Sequence, residues 1–242
     1  MSAATNQPTF ATTHWSAVRA AGGTTSPHAL AALEILARAY WYPLYAFARR
    51  MGREPADAAD LTQGFFERLI ERDSLAAASR ERGRFRTFLL TAFRHFMADE
   101  WKAARREKRG GGAVVVSIDA NSGEERYRVE PADRFDAEQL YQRRWAMTIL
   151  DQALARLESE LRAVGRVDVF SALQGFLVGE RGGPTYAEVA RRLGTSEAAV
   201  KMTVSRLRQR ARELIRDQIA QTVSTPAEVD EEYAALIASL RS

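Results

Sequence analysis

The chain has 242 residues, with 35 lysines and arginines against 31 aspartates and glutamates, so its formal net charge is +4 and its pI is about 9.6. This basic balance is typical of nucleic-acid-binding proteins, and the length suffices for one large or two small domains. The absence of cysteine excludes disulfides and thiolate metal sites, and the three histidines are too far apart to form a metal-ligand motif.

Nothing in the sequence suggests a membrane segment or a leader. Its apolar runs are much shorter than the roughly 20 residues that a membrane-spanning helix needs. The N-terminus lacks the charged and then apolar pattern of a signal peptide. We therefore expect a cytoplasmic protein.

The first part of the chain predicts a loose start and then three helices. Residues 1–27 are small and polar, and residues 28–50 are rich in aromatic side chains and predict a helix or helix pair bent at Pro43. Pro55 suits a first helical position, which predicts a second helix over residues 55–71. A third helix is predicted from about residue 85 to about residue 106.

The second predicted helix has two unlike faces. At 100° per residue the apolar side chains form one arc, which we expect to be buried. The opposite side is acidic and could dock a basic helix of a partner, although a solvated polar face is the alternative. The buried arc contains Ala58, Leu61, Phe65, Phe66 and Leu69, and the acidic face contains Asp57, Asp60, Gly64, Glu67 and Glu71.

The third predicted helix ends in a basic and partly aromatic stretch, WKAARREKR. Such a surface suits a nucleic-acid backbone and unstacked bases. Cations also favour a helix C-terminus, but this preference accounts for one or two basic residues more easily than for five.

Three glycines at 110–112 begin a stretch without helical periodicity, which predicts a linker over residues 110–139. Strand-like alternation is confined to residues 113–118. Helices are then predicted over residues 140–220. After Pro226 a short helix over 228–240 is expected, with Ala234, Leu236, Ile237 and Leu240 as its apolar side. We expect this acidic tail, residues 221–242, to pack on basic surfaces near 101–109 or 201–216 and to compete with DNA there.

The stretch 185–215 predicts a helix-turn-helix. Thr185 and Glu188 have the spacing of a capping box, Gly194 suits the left-handed residue that ends a helix, and Ser196 can cap the next helix. The second helix has Val200, Val204, Leu207 and Leu214 on its inner side and a set of basic residues elsewhere. A short helix, a tight turn and a basic helix form the unit that enters the major groove of DNA.

Three segments together resemble a bacterial RNA polymerase sigma factor of the extracytoplasmic-function type. DAADLTQGFFERL at 57–69 resembles the helix that grips the polymerase clamp. FRTFLLTAFRHFMADEWKAARREKR at 85–109 resembles the segment that recognises and melts the minus-ten element. TYAEVARRLGTSEAAVKMTVSRLRQRARELI at 185–215 resembles the helix-turn-helix that reads the minus-thirty-five element. The acidic tail is similar to that of an enlarged subgroup.

The resemblance implies an all-α fold of two small helical domains, at 28–109 and 140–220, joined by the flexible linker. It implies three sets of binding residues. Core polymerase would contact Asp57, Asp60, Gln63 and Glu67. The minus-ten element would contact Arg80, Arg84, Arg86, Thr91, Arg94, His95, Ala98, Lys102, Arg105 and Arg106. The minus-thirty-five element would contact Ser196, Glu197, Lys201, Ser205, Arg206 and Arg208.

The resemblance also implies partners and regulation. Core RNA polymerase and promoter DNA are the expected partners, with an anti-sigma factor or a Ser/Thr kinase as candidate regulators. Phosphorylation of Thr62 would add negative charge to an acid-poor clamp helix. Thr62 lies within the apolar arc, however, which favours a structural threonine.

Two other classes of function remain alternatives. A helix-turn-helix repressor or activator would bind operator DNA as a dimer without contacting polymerase, but it would need neither the acidic helix nor the aromatic-basic helix. An enzyme acting on nucleic acid is disfavoured because no metal-ligand cluster, phosphate loop or nucleophile motif is present. We expect no catalytic residue, metal or cofactor.

Overall fold

The computed structural model describes residues 27–71, 85–104, 120–129, 134–179, 182–223 and 225–241, and in these ranges it is helical without strands. The helices are α1 (Pro27–Arg50), α2 (Pro55–Glu71), α3 (Phe85–Ala104), α4 (Ala120–Arg128) and α5 (Ala137–Ala163), followed by α6 (Val167–Val178), α7 (Tyr186–Arg192), α8 (Glu197–Ala220) and α9 (Pro226–Arg241). The all-α prediction is therefore confirmed. The predicted loose segment at 1–27 falls almost entirely outside the described residues, as does the strand-like stretch at 113–118.

The chain forms two compact units, one of residues 1–147 with 219–242 and the other of residues 148–218. The first unit has an aromatic core. Phe65 of α2 lies with its ring centroid 5.1 Å from that of Phe93 of α3, and Phe93 lies 6.3 Å from Phe47 of α1. These rings occupy the apolar arcs that helical periodicity predicts. Helix α1 continues through Pro43.

The segment predicted as a linker contains α4, which packs on α1. Glu124 accepts a hydrogen bond from the Tyr45 hydroxyl at 2.6 Å and pairs with the Arg49 guanidinium at 3.0 Å. Partial burial raises the pKa of Glu124, but these hydrogen bonds outweigh that effect and hold the pKa below its usual value. Gly123 lies so close to α1 that an added Cβ would stand 3.0 Å from the Trp41 ring. The expectation of a linker without helix is thus wrong for Ala120–Arg128, because one half-buried carboxylate and a close glycine contact stabilise a helix that lacks an apolar face.

Helix α9 belongs to the first unit, and its contacts with Arg86 and Arg143 lie outside the basic surfaces at 101–109 and 201–216 where we expected the tail to pack. Thr225 and Glu228 form a capping box at its start, with the Glu228 backbone N–H donating to the Thr225 hydroxyl at 3.3 Å. The buried side chains are Val229, Glu232 and Leu236. The expected apolar side was therefore wrong for Ala234, which is exposed.

Glu232 is buried because it forms an ion pair with Arg86 of α3. The Nε atom of Arg86 lies 2.6 Å from a carboxylate oxygen of Glu232, and the two side chains are 7% and 3% exposed. The Arg86 guanidinium also lies over the Trp145 ring, 4.6 Å from its centroid, and donates to Gln142. At the other end of α9, Arg143 donates to the carbonyls of Ser239 and Leu240.

We predict that Glu232→Gln destabilises the first unit by roughly 3–5 kcal/mol, because it leaves the Arg86 charge buried without a counter-ion. The double variant Arg86→Met/Glu232→Leu should recover most of the lost stability, since two apolar side chains of similar size carry no buried charge. The measurement is urea unfolding followed by circular dichroism.

Glu125→Gln is the matched control, because it removes an exposed carboxylate from α4 in the same unit. It should change the unfolding free energy by no more than about 0.5 kcal/mol. Equal effects of the two single substitutions would contradict the assignment of a buried ion pair.

Candidate partner and nucleic-acid surfaces

A groove of about 640 Å³ runs along α2 and α3 in the first unit. Carboxylates of Asp57, Asp60, Glu67 and Glu100 lie along it. Its apolar surface comes largely from α3, where Trp101 is 46% exposed. The remaining lining residues are Arg53, Leu61, Gly64, Arg68, Phe96 and Met97.

The structure brings three of the four residues of the predicted clamp-binding set to this groove. Asp57 and Asp60 are exposed, and Glu67 is half-buried. Gln63 lies beside the groove and donates its side-chain amide to Glu67 at 3.1 Å. Gly64 leaves space over Phe96, since a Cβ at this position would stand 3.5 Å from the ring.

The polar side of the groove carries arginines as well as carboxylates. Arg68 lies 3.6 Å from Glu100 and 3.9 Å from Asp99, and its guanidinium lies 5.4 Å from the centroid of Phe96. Glu100 is therefore partly neutralised within the molecule. Asp57 and Asp60 have no ion pair among the described residues, so they are the carboxylates most available to a cationic partner.

The sequence patterns did not place Met97, Glu100 or Trp101 at a surface that binds a protein partner. Trp101 follows Met97 by four residues, so both lie on one face of α3. The signal that could have identified this surface is an exposed tryptophan next to a half-polar helix face.

Thr62 is fully buried, and its hydroxyl donates to the carbonyl of Ala58 at 2.7 Å. A kinase could reach this hydroxyl only if α2 opened locally. The observed contact is the back-bond of a structural threonine within a helix.

The exposed face of α3 carries part of the predicted minus-ten set of DNA-binding residues. Thr91, Arg94, His95 and Ala98 are all exposed and follow one another at helical spacing. Arg94 pairs with Glu138 at 2.8 Å and lies over the Phe47 ring, so part of its charge is already balanced. Lys102 belongs to the same helix. Arg80, Arg84, Arg105 and Arg106 lie outside the described residues.

Arg86 is the exception within the minus-ten set, because it is buried against Glu232 and Trp145. The prediction that it contacts DNA is wrong for this conformation. Its position explains why: Arg86 precedes Leu89, Leu90 and Phe93 by three, four and seven residues, so it lies on the inner stripe of α3.

The second unit contains the predicted helix-turn-helix, formed by α7, a short turn and α8. The capping box at Thr185 and Glu188 is present, with the Thr185 backbone N–H donating to the Glu188 carboxylate at 2.7 Å. This bond, together with one from the Thr185 hydroxyl, lowers the pKa of Glu188. Gly194 has a φ of 63°, the left-handed conformation that ends α7. Ser196 caps α8 by accepting from the Ala199 N–H at 3.2 Å.

Several polar side chains of α8 are already paired within this unit. Lys201 pairs with Glu197 at 2.6 Å, which raises the pKa of Lys201, and its ammonium lies over the Tyr186 ring. Arg208 donates to the carbonyl of Phe176 at 2.8 Å. The Arg210 guanidinium donates two hydrogen bonds to the Glu160 carboxylate, at 2.8 and 2.9 Å, and these bonds lower the pKa of Glu160.

The predicted minus-thirty-five residues are therefore not equivalent. Ser196, Glu197, Lys201 and Arg208 are exposed but have internal partners, whereas Ser205 and Arg206 are exposed without an ion pair or hydrogen bond in the described part of the chain. Val200, Val204 and Leu207 are buried as predicted. The free outer face of α8 is centred on Ser205 and Arg206.

No group of three or more His, Asp or Glu residues in the described ranges is arranged to hold a metal ion. None of the described helices has the length and hydropathy needed to cross a membrane.

Comparison with known proteins finds a family match within the first unit. Residues 36–107 match the family model of sigma-70 region 2, a stretch that contains α2, α3 and the groove along them. No curated protein and no solved structure matches the chain significantly. Members of the sigma-70 family are non-enzymatic factors for transcription initiation. Residues 36–107 are thus similar to a sigma-70 region 2, and this match supports a sigma factor of the sigma-70 family.

Proposed function

We propose that this protein is a sigma factor of the extracytoplasmic-function type, which binds core RNA polymerase and directs promoter recognition, melting and initiation. The observation that carries the proposal is the match of residues 36–107 to sigma-70 region 2, in the unit that holds the acidic groove. The helix-turn-helix of the second unit supplies a separate surface for duplex DNA. The acidic 221–242 segment would place it in the enlarged subgroup.

Core polymerase would dock in the groove along α2 and α3. Its chemistry suits a basic amphipathic helix, because Asp57 and Asp60 offer exposed carboxylates beside the apolar surface of Trp101 and Met97. The carboxylates would steer and orient the partner. The tryptophan would supply most of the buried contact area, as aromatic anchors do at interfaces.

The exposed face of α3 would bind the minus-ten element. His95 and Thr91 present side chains that can bond base edges or phosphates, while Arg94 would exchange its partner Glu138 for a phosphate. The free-energy cost of melting the duplex would be offset by stacking of unpaired bases on aromatic side chains, which contributes about 1–3 kcal/mol per base.

In-vitro transcription tests the whole proposal. Core bacterial polymerase supplemented with the full chain should start RNA synthesis at specific promoters, and polymerase alone should not. Binding of DNA by the chain without any affinity for polymerase would contradict the proposal and favour the repressor alternative.

We predict that Asp57→Arg/Asp60→Arg weakens binding of core polymerase by about 2–3 kcal/mol, or roughly 30- to 150-fold in Kd, because like charges would face each other in the groove. The measurement is a titration of labelled protein with core polymerase. Glu125→Arg/Asp217→Arg makes the same change in net charge at two exposed carboxylates that do not line the groove. This control should bind normally, and similar losses in both double variants would mean that the groove is not the docking site.

We predict unequal effects of two arginines of α8. Arg206→Ala should cost about 1–3 kcal/mol on the best promoter and relax specificity at one position, if Arg206 bonds a guanine edge. Arg212 is also exposed, and Arg212→Ala should weaken binding to all sequences alike. It should reduce the slope of log K against log salt concentration by about 1. Binding of the holoenzyme to a library of minus-thirty-five sequences at several salt concentrations measures both. Identical, sequence-independent losses would show that Arg206 does not face the bases.

A further inference from the structure

An exposed methionine interrupts the polar outer face of α8. Met202 is 55% exposed, whereas its apolar neighbours Val200 and Val204 are 1% and 2% exposed. Single apolar side chains on a surface are ordinary, so exposure alone has no functional meaning. The position of Met202 on the helix distinguishes it.

Met202 shares the outer face of α8 with Ser205 and Arg206, which have no ion pair or side-chain hydrogen bond among the described residues. Ser205 and Arg206 follow it by three and four residues, so the three side chains are neighbours on the helix surface. They lie opposite the buried stripe of Val200, Val204 and Leu207. This face belongs to the first three turns of α8, the part of such a helix whose side chains reach base edges.

Internal contacts hold the basic side chains that flank this face. Lys201 is held by Glu197, Arg208 by the carbonyl of Phe176, and Arg210 by Glu160. The hydroxyl of Ser196 is used by the helix cap. Met202 is therefore the large apolar group beside Ser205 and Arg206 at the surface that meets the bases.

The major groove offers one apolar feature that an apolar side chain can read, the 5-methyl group of thymine. We propose that Met202 contacts the 5-methyl group of a thymine in the minus-thirty-five element and makes that base a determinant of promoter choice. The assignment rests on the proposed function, because it requires α8 to enter the major groove. The polarisable thioether of Met adapts its shape to such a contact better than a branched side chain does.

The spacing of Met202 and Arg206 along α8 limits the distance between the thymine and the base that Arg206 contacts. Met202 and Arg206 are about 6 Å apart along the helix axis, which corresponds to roughly two base-pair steps of about 3.4 Å. If Arg206 bonds a guanine, the thymine should lie within about two base pairs of it.

Replacement of thymine by deoxyuridine tests the contact, since it removes only the methyl group. The holoenzyme, made from core polymerase and the full chain, is titrated with its selected promoter carrying deoxyuridine at one minus-thirty-five position at a time. We expect one position at which loss of the methyl weakens binding of the unmodified protein about 3- to 10-fold. Met202→Ala should bind the thymine and deoxyuridine promoters equally, and Met202→Leu should keep part of the preference.

Met51→Ala is the matched control, because Met51 is 57% exposed in the other unit. It should show the same deoxyuridine pattern as the unmodified protein. If Met202→Ala keeps the full preference, or if no deoxyuridine substitution matters, the thymine contact is wrong while the proposed function stands. If no holoenzyme with sequence-specific binding forms, the proposed function itself fails.

Discussion

The buried ion pair between Arg86 and Glu232 is the interaction on which the first unit depends. Neither charge could be buried alone without a penalty of several kcal/mol, so each side chain requires the other. Arg86 lies in α3 and Glu232 in α9, 146 positions later in the chain, since 232 − 86 = 146. The pair therefore joins the sigma-70 region 2 match to a helix that the family match does not cover. The unit is complete only when this distant helix is in place.

Aromatic side chains surround the pair and give it a defined environment. The Arg86 guanidinium stacks over Trp145, and the Tyr141 hydroxyl donates to the carbonyl of Arg86 at 3.0 Å. Burial, with added repulsion from Glu232, raises the pKa of Tyr40 well above its usual value, so this phenol stays neutral. A charged pair enclosed by large neutral rings stabilises one arrangement of α3, α5 and α9, because any displacement exposes one charge to an apolar surface.

Pairing within each unit also decides which charges remain available for partners. In the second unit the bidentate contact of Arg210 with Glu160 depresses the pKa of Glu160, so this bond stabilises the folded state above the ordinary pKa of a glutamate and weakens as the pH falls through the lowered value. Arg210 is thereby a packing residue, although the sequence presents it as one cation among many. Asp57, Asp60 and Arg206 keep exposed charges, and these are the residues that the proposed interfaces use.

Local sequence determined the helices other than α4, together with the turn of the helix-turn-helix. The capping box at Thr185, the left-handed Gly194 and the start of α2 at Pro55 depend on residues within one or two helical turns, so spacing alone predicts them. The face of α2 that carries Asp57, Asp60 and Glu67 follows from periodicity in the same way.

Tertiary structure decided the roles of residues whose partners are distant in the chain. Arg86 and Glu232 both lie on apolar stripes of their own helices, but only the fold brings them within 2.6 Å of each other. Helix α4 has little apolar surface and forms against Trp41, Tyr45 and Arg49, some 75 positions earlier. Long-range ion pairs and hydrogen bonds of this kind leave no periodic signal, because periodicity records which side of a helix is buried and not which residue covers it.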